Sequence, residues 1–208
     1  MSRRKREPRP LRRPAPDREE RRVIRIFTEG EVTEVEYVDL LRHSADVSGK
    51  FVLMVSGRHG QPWPLVQAAI KDKERNEEVD EYWCWFDVEW PRNNPGQHHP
   101  RLADAMRSAR DNGIKVAVSN PLFELWLILH AKDQTGSLNN EDAERIRHGI
   151  DHSDGKELGD GFDYGAHYAD AVRRARKLSD RHADNGTDSP NDNPSSGMYA
   201  FLEELGIK

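Results

Sequence analysis

Asp87 and Glu89 close the most apolar stretch of the chain, YWCWFDVE, in which no other charge precedes Asp87. Two residues apart in an extended strand, both carboxylates point to the same side. Like charges so placed repel, and desolvation compounds the cost. A hard divalent cation removes that cost. Mg²⁺ takes oxygen ligands in octahedral geometry, usually one or two carboxylates with waters and phosphate oxygens, and Mn²⁺ suits the same donors. Such an ion activates water and stabilises charge on a transferring phosphoryl group. Further carboxylates stand at comparable places: Glu29 after the run VIRIFT, Glu34 one turn beyond it, and Glu124 just past Ser119-Asn120. Arg58 and His59 follow the run FVLMVS, where one binds a scissile phosphate or His59 protonates a leaving group.

These residues need elements that bring them together. VIRIF (23–27), FVLMVS (51–56), YWCWFDV (82–88) and IKVAVS (114–119) read as strands, the third apolar on both alternating faces. Between and after them, residues 31–44, 64–76, 97–112 and 120–131 carry helical periodicity. Asn112-Gly113 reads as a C-cap; Asn120 reads as an N-cap with Pro121 in first position. Strand–helix alternation repeated four times predicts an α/β fold, a mostly parallel sheet of about four strands flanked by helices. The rest reads as a helical C-terminal part: helices over 139–149, 164–183 and 198–205, with loops over 151–163 and 184–197. In an open α/β sheet, ligands gather beyond the carboxyl ends of the strands. That rule puts Glu29, Arg58-His59, Asp87, Glu89 and Ser119-Asn120 at one edge.

Composition narrows the class. The chain has 208 residues, 33% of them charged and 35% hydrophobic, which suits one domain with a polar surface. Residues 1–22 hold ten Lys/Arg against four acids, with four prolines and almost nothing apolar, and are expected to form a disordered basic arm. Residues 23–208 are then the folded domain, with 22 basic against 33 acidic residues. The arm either grips nucleic-acid phosphates or serves as a solvated leader. No apolar stretch approaches the roughly 18–20 residues of a membrane span, and the N-terminus lacks the apolar core of a signal peptide, so a cytoplasmic protein without membrane contact is expected. The single Cys84 excludes an internal disulfide.

Competing motifs are absent or weak. There is no GxxxxGK[ST], no GxGxxG after the first strand, no GxSxG and no HExxH. His98-His99 sits in a Pro/Asn/Gly-rich segment and reads as loop; Cys84 between Trp83 and Trp85 reads as core. Arg173, Arg174, Lys177 and Arg181 fall within roughly a 100° arc of one helix and read as a solvated face, with a nucleic-acid track as the other option.

The segments FTEGEVTEVEYV, YWCWFDVE, KVAVSNPLFELWLILH and NPSSGM, in this order, resemble the RloB family, and SNPxFELWxxxH is the most specific of them. The likeness runs from about residue 22 to the C-terminus. It implies a Toprim-like fold related to the nuclease domains of OLD-type proteins. It also implies a metal-dependent nuclease or phosphoryl-transfer hydrolase acting on DNA or RNA in antiphage, abortive-infection defence, commonly beside an AAA-type ATPase partner. Carried over, the first Toprim acid falls on Glu29, with Glu34 additional, and the acidic pair on Asp87 and Glu89; these imply metal ligation by Glu29, Asp87 and Glu89. The second member of the pair is often Asp, and here it is Glu. Asn120, Glu124 and His130 match the signature helix; Glu124 joins the acidic site, His130 reads as a satisfied buried histidine, and Leu122 stands where Cys is often found. The alternative implied by Glu89 is a non-catalytic subunit that binds nucleic acid or the ATPase through a degenerate site.

Overall fold

The computed structural model describes residues 20–93 and 98–208. Residues 1–19 of the expected arm, and residue 97 at the expected start of a helix, lie outside them. Arg22, assigned above to the arm, instead opens the first strand, β1 (Arg22–Thr28). It is followed by α1 (Thr33–His43), the short α2 (Ala45–Ser48), β2 (Phe51–Val55), α3 (Pro62–Lys73) and β3 (Glu81–Asp87). Then come α4 (Leu102–Asp111), β4 (Lys115–Asn120), α5 (Phe123–Ala131) and α6 (Asn140–Asp151). A 3₁₀ turn (Tyr164–His167), α7 (Tyr168–Asp184), β5 (Ser195–Ser196) and α8 (Met198–Glu204) close the chain. No helix among the described residues is long and apolar enough to cross a membrane.

The sheet runs β2-β1-β3-β4-β5, with every pair parallel except β4–β5. The fold is therefore α/β with a mostly parallel sheet flanked by helices, and one short antiparallel strand more than the periodicity shows. Register sets the carboxyl edge: Thr28 pairs with Trp85, and Asp87 with Ser119.

Period-two alternation explains the two layers. In β3, Trp83 and Trp85 join Ile24, Ile26 and Ala117 under α1, α5, α7 and α8, while Tyr82, Cys84 and Phe86 face α3 and α4 with Phe27. Truncating a side chain such as Trp85 to Ala would cost on the order of 3–5 kcal/mol. The ring of Phe123 stacks on Trp85 at 6.1 Å, so the start of α5 is docked directly behind the end of β3.

Two boundaries differ from expectation. The third helix of the alternation, α4, begins at Leu102, beyond Pro100, because a residue before proline disfavours the helical region; its end is as expected, with Gly113 at φ +63°. Asn120 is no N-cap. Pairing with Ser195 prolongs β4 through it, and α5 starts only at Phe123 after an extended Leu122. The Asn120 amide instead donates to Pro190 O (3.0 Å) and Asp192 Oδ1 (2.8 Å), tying the 184–197 loop to the sheet.

Candidate functional site

The carboxyl edge of the sheet opens into a cleft of about 360 Å³ lined by Glu29, Glu34, Asp87, Glu89, Glu124, Glu144 and Lys156, among others. Five of the sequence-derived site residues are thus brought together. Glu29 leaves β1 with its amide still on the sheet ladder, bonded to Trp85 O at 3.0 Å. Its Oε2 accepts the Asp87 N–H at 2.9 Å, which locks the ends of β1 and β3 to one another. Glu34, in the first turn of α1, reaches back so that Oε1 accepts the Gly30 N–H at 2.8 Å. That return leaves no room at position 30, since a Cβ there would sit 2.2 Å from Glu34 Oε2. A side chain there would displace the Glu34 carboxylate from the Gly30 N–H.

Charge in the cleft is unbalanced. Burial, followed by the charges of Glu29, Glu34 and Glu124, pushes the Asp87 carboxyl well above the usual range, against the opposing Phe123 amide at the start of α5. Glu34 is raised too, first by burial and then, against bonds from the backbone, by Glu124 and Glu29. Desolvated carboxylates that repel one another favour the neutral form unless a cation joins them.

Glu89 arrives by a different route from the one expected. β3 ends at Asp87, and Glu89 adopts the left-handed region at φ +66°, with its N–H bonded to Pro121 O at 3.0 Å. Strand alternation therefore does not place it beside Asp87. A non-glycine residue in this region costs roughly 1–2 kcal/mol. The twist brings Glu89 toward Glu29 and His99 instead: one ligand atom from each of the three lies within 4.8 Å of the others.

His99 is the residue that sequence reasoning passed over as loop. Its Nε2 lies 2.8 Å from Glu29 Oε1 and 3.9 Å from Glu89 Oε2, and the bond to Glu29 holds its pKa above the ordinary histidine value despite burial. Protonated, it is an internal cation between two carboxylates. Lys156 is the second missed residue. Burial works against its charge, yet Glu124, Glu144 and Asp87 hold its pKa above the usual lysine value, and Nζ lies 3.3 Å from Glu144 Oε1.

The loop that carries Lys156 is moulded from below. Arg147 and Asp151 on α6 form a wholly buried ion pair at 2.9 Å. Arg147 also donates to Gly155 O and Glu157 O, and Asp151 accepts from Ser153, Gly159 and Tyr164. From α1, Thr33 Oγ1 donates to Lys156 O at 2.6 Å and Glu36 Oε2 accepts the Leu158 N–H at 2.7 Å. A Cβ on Gly159 would meet Asp151 O at 1.9 Å, so that position is glycine for want of space.

Arg58 and His59 do not line the cleft. His59 Nδ1 lies 3.1 Å from Thr28 Oγ1, just behind Glu29, and the exposed Arg58 faces a separate groove along α3. The basic stripe on α7 is not a uniform solvated face either: Arg174 donates to the α5 carbonyls of Leu129 and His130, and Arg181 to Thr135 O. His130 is buried away from the cleft. Its Nδ1–H donates to Trp126 O at 2.9 Å and its Nε2 accepts from the Tyr37 hydroxyl at 3.1 Å, while burial pushes its pKa down to about 3. It is a satisfied neutral histidine, as expected.

Converging carboxylate oxygens, with one imidazole and no thiolate, are the donor set that Mg²⁺ or Mn²⁺ takes. The raised carboxyls of Asp87 and Glu34 are groups whose ionisation such an ion would favour.

A family profile described as RloB-like protein matches residues 24–205. No curated protein and no solved structure matches the chain.

Proposed function

This chain belongs to the RloB-like family, and from that premise we propose that it is a Mg²⁺- or Mn²⁺-dependent, Toprim-type nuclease, acting on phosphodiesters of DNA or RNA in antiphage defence. The observation that carries the reading is Asp87: a carboxyl at the carboxyl end of a central strand, raised by burial and by three neighbouring carboxylates. An ordinary structural aspartate is paired or hydrogen-bonded so as to remain ionised.

In this reading Glu29 and Asp87 hold the ion, joined by Glu89 from its place beside Glu29 and His99, and Glu34 and Glu124 set the charge around them. The ion, when bound, supplies an activated water and charge stabilisation at the phosphorus. Glu29 is oriented by the Asp87 amide and by His99, so its two oxygens are fixed before any ligand arrives. Lys156 offers a positive charge at the cleft to a phosphate oxygen. His99 lies close enough to Glu29 and Glu89 to hold or move a proton between them. Cooperation with an AAA-type ATPase and a cytoplasmic setting belong to the same proposal, supported by family membership alone.

The test pairs thermal unfolding with cleavage of DNA and RNA oligonucleotides, for wild type and Asp87→Asn, with and without Mg²⁺ or Mn²⁺. Metal bound only by the native state raises the wild-type midpoint with concentration. Asp87→Asn is expected to lose that shift and the cleavage. Equal shifts in both proteins would remove Asp87 as a ligand. No shift in either, with substrate present, would replace the nuclease reading with that of a non-catalytic binding subunit.

A further inference from the structure

A second cavity, of about 580 Å³, lies on the other face of the same sheet edge and is lined by Arg58, Trp63, Gln67 and Lys71. Two contacts tie it to the acidic cleft. His59 bonds to Thr28 at the end of β1, which holds its neighbour Arg58 beside that strand end. His99 bonds to Glu29, and only two residues later Arg101 lays its guanidinium 3.5 Å from the centre of the Trp63 ring. Two residues span at most roughly 7 Å of backbone, so His99 and Arg101 leave neighbouring points of the chain, one reaching the carboxylates and the other the groove.

The charges in this groove are available. Arg58 and Lys71 are exposed and have no ion-pair partner among the described residues, and Arg101 meets Asp104 only at 3.6 Å. The groove's acid, Glu74, caps α3 at the end far from the strand ends, one turn beyond Lys71, so the row of cations starts at Lys71 and runs toward Arg58 at the strand ends. Stacking on indole orders Arg101 in advance, so a hydrogen bond from it costs less side-chain freedom. The surrounding domain carries an excess of acids: 22 basic against 33 acidic residues over 23–208. A polyanion approaching Glu29 and Asp87 therefore needs a local row of cations, and this groove supplies one at the cleft's border.

We propose that the groove is the track along which a nucleic-acid strand reaches the acidic cleft, its phosphates held by Arg58, Lys71 and Arg101. The proposal rests on the nuclease reading for the strand's identity and adds where the strand runs.

The test uses the full chain and a fluorescein-labelled single strand of roughly 20 nucleotides, as DNA and as RNA, followed by anisotropy in EDTA so that no cleavage intervenes. Each lost phosphate contact to a single strand removes about 0.7 from the salt slope. Arg58→Ala/Lys71→Ala is expected to bind about tenfold more weakly at about 50 mM salt, with a slope shallower by about 1.4. Arg101→Gln is expected to weaken binding about threefold, with a slope shallower by about 0.7. Arg107→Ala/Arg110→Ala, which removes exposed cations elsewhere on α4, is expected to change neither. Unchanged affinity and slope in the groove variants, or an equal loss in the α4 control, would overturn the track. Groove-dependent binding by a wild type that never cleaves with Mn²⁺ would defeat the nuclease reading and leave the track standing. Undiminished cleavage by Arg58→Ala/Lys71→Ala at sub-saturating oligonucleotide would defeat the track and leave the nuclease reading standing.

Discussion

The two edges of the sheet treat charge in opposite ways. At the amino edge, buried Glu81 meets Arg22 and Lys115, its Oε2 accepting from Trp83 as well, and Glu204 meets the same two cations at 3.1 and 2.8 Å. Two acids and two bases close a network, and Lys115 and Arg22 hold the Glu204 carboxyl below the usual range. At the carboxyl edge, Glu29, Glu34, Asp87 and Glu124 crowd together, and the carboxyls of Asp87 and Glu34 are raised instead of lowered. Paired charges at one end stabilise the fold. Like charges at the other end destabilise it, and they mark where a ligand is expected to supply what the chain does not.

The contrast is open to direct attack. The largest effect is expected from Asp87→Asn, which should lower metal-dependent cleavage by roughly 10²–10³ or more, read by single-turnover kinetics. The same variant should be at least as stable as wild type without metal, because a like-charge conflict is relieved. Glu81→Gln should do the reverse, costing about 2 kcal/mol in urea unfolding through lost charge-assisted bonds while leaving the Mn²⁺-induced midpoint shift intact. Glu89→Gly should gain about 1 kcal/mol of metal-free stability by relieving the left-handed backbone, and should weaken Mn²⁺ binding by calorimetry.

The smallest expected effect is the pH dependence of the difference between wild type and Asp87→Asn. A carboxyl raised in the folded state binds its proton more tightly there than in the unfolded chain. Its contribution is present at low pH and is lost as pH climbs from about 4 through the folded value. The two proteins should therefore coincide near pH 4, with the variant pulling ahead as pH rises. His130 acts with the other sign in both proteins: its folded pKa of about 3 makes stability fall as pH drops below about 6.5, by up to about 1.4 kcal/mol per unit. A difference curve that is flat with pH would place Asp87 among ordinary paired aspartates.

Elements with a local signal were legible in the chain. The four parallel strands announce themselves by alternating or continuous apolar residues, and Glu29, Glu34, Asp87 and Glu124 follow from the rule that strand ends share an edge. What was not legible depends on distant partners. His99 is 70 residues from the Glu29 it bonds and sits in a segment with no periodicity. Asn120-Pro121 before an apolar run has every local mark of a helix start, yet a two-residue strand 75 positions later claims Asn120 for the sheet. Arg58 follows the right strand, but the packing of its loop on α3 turns it to the other face. Glu89 needed a backbone angle that no spacing rule supplies.

The loop over 152–163 has the composition of a segment that proteases cut: three glycines, three aspartates and one lysine, with no helix or strand between α6 and the 3₁₀ turn. A protease must draw several residues of backbone into its own active site in extended form. Around Lys156 the carbonyls of residues 155, 156 and 157 and the amides of 158 and 159 are all engaged by side chains of Arg147, Thr33, Glu36 and Asp151. Trypsin should therefore leave the Lys156–Glu157 bond intact in the native protein. Arg147→Met, which withdraws the grip from below, should turn that bond into an early nick.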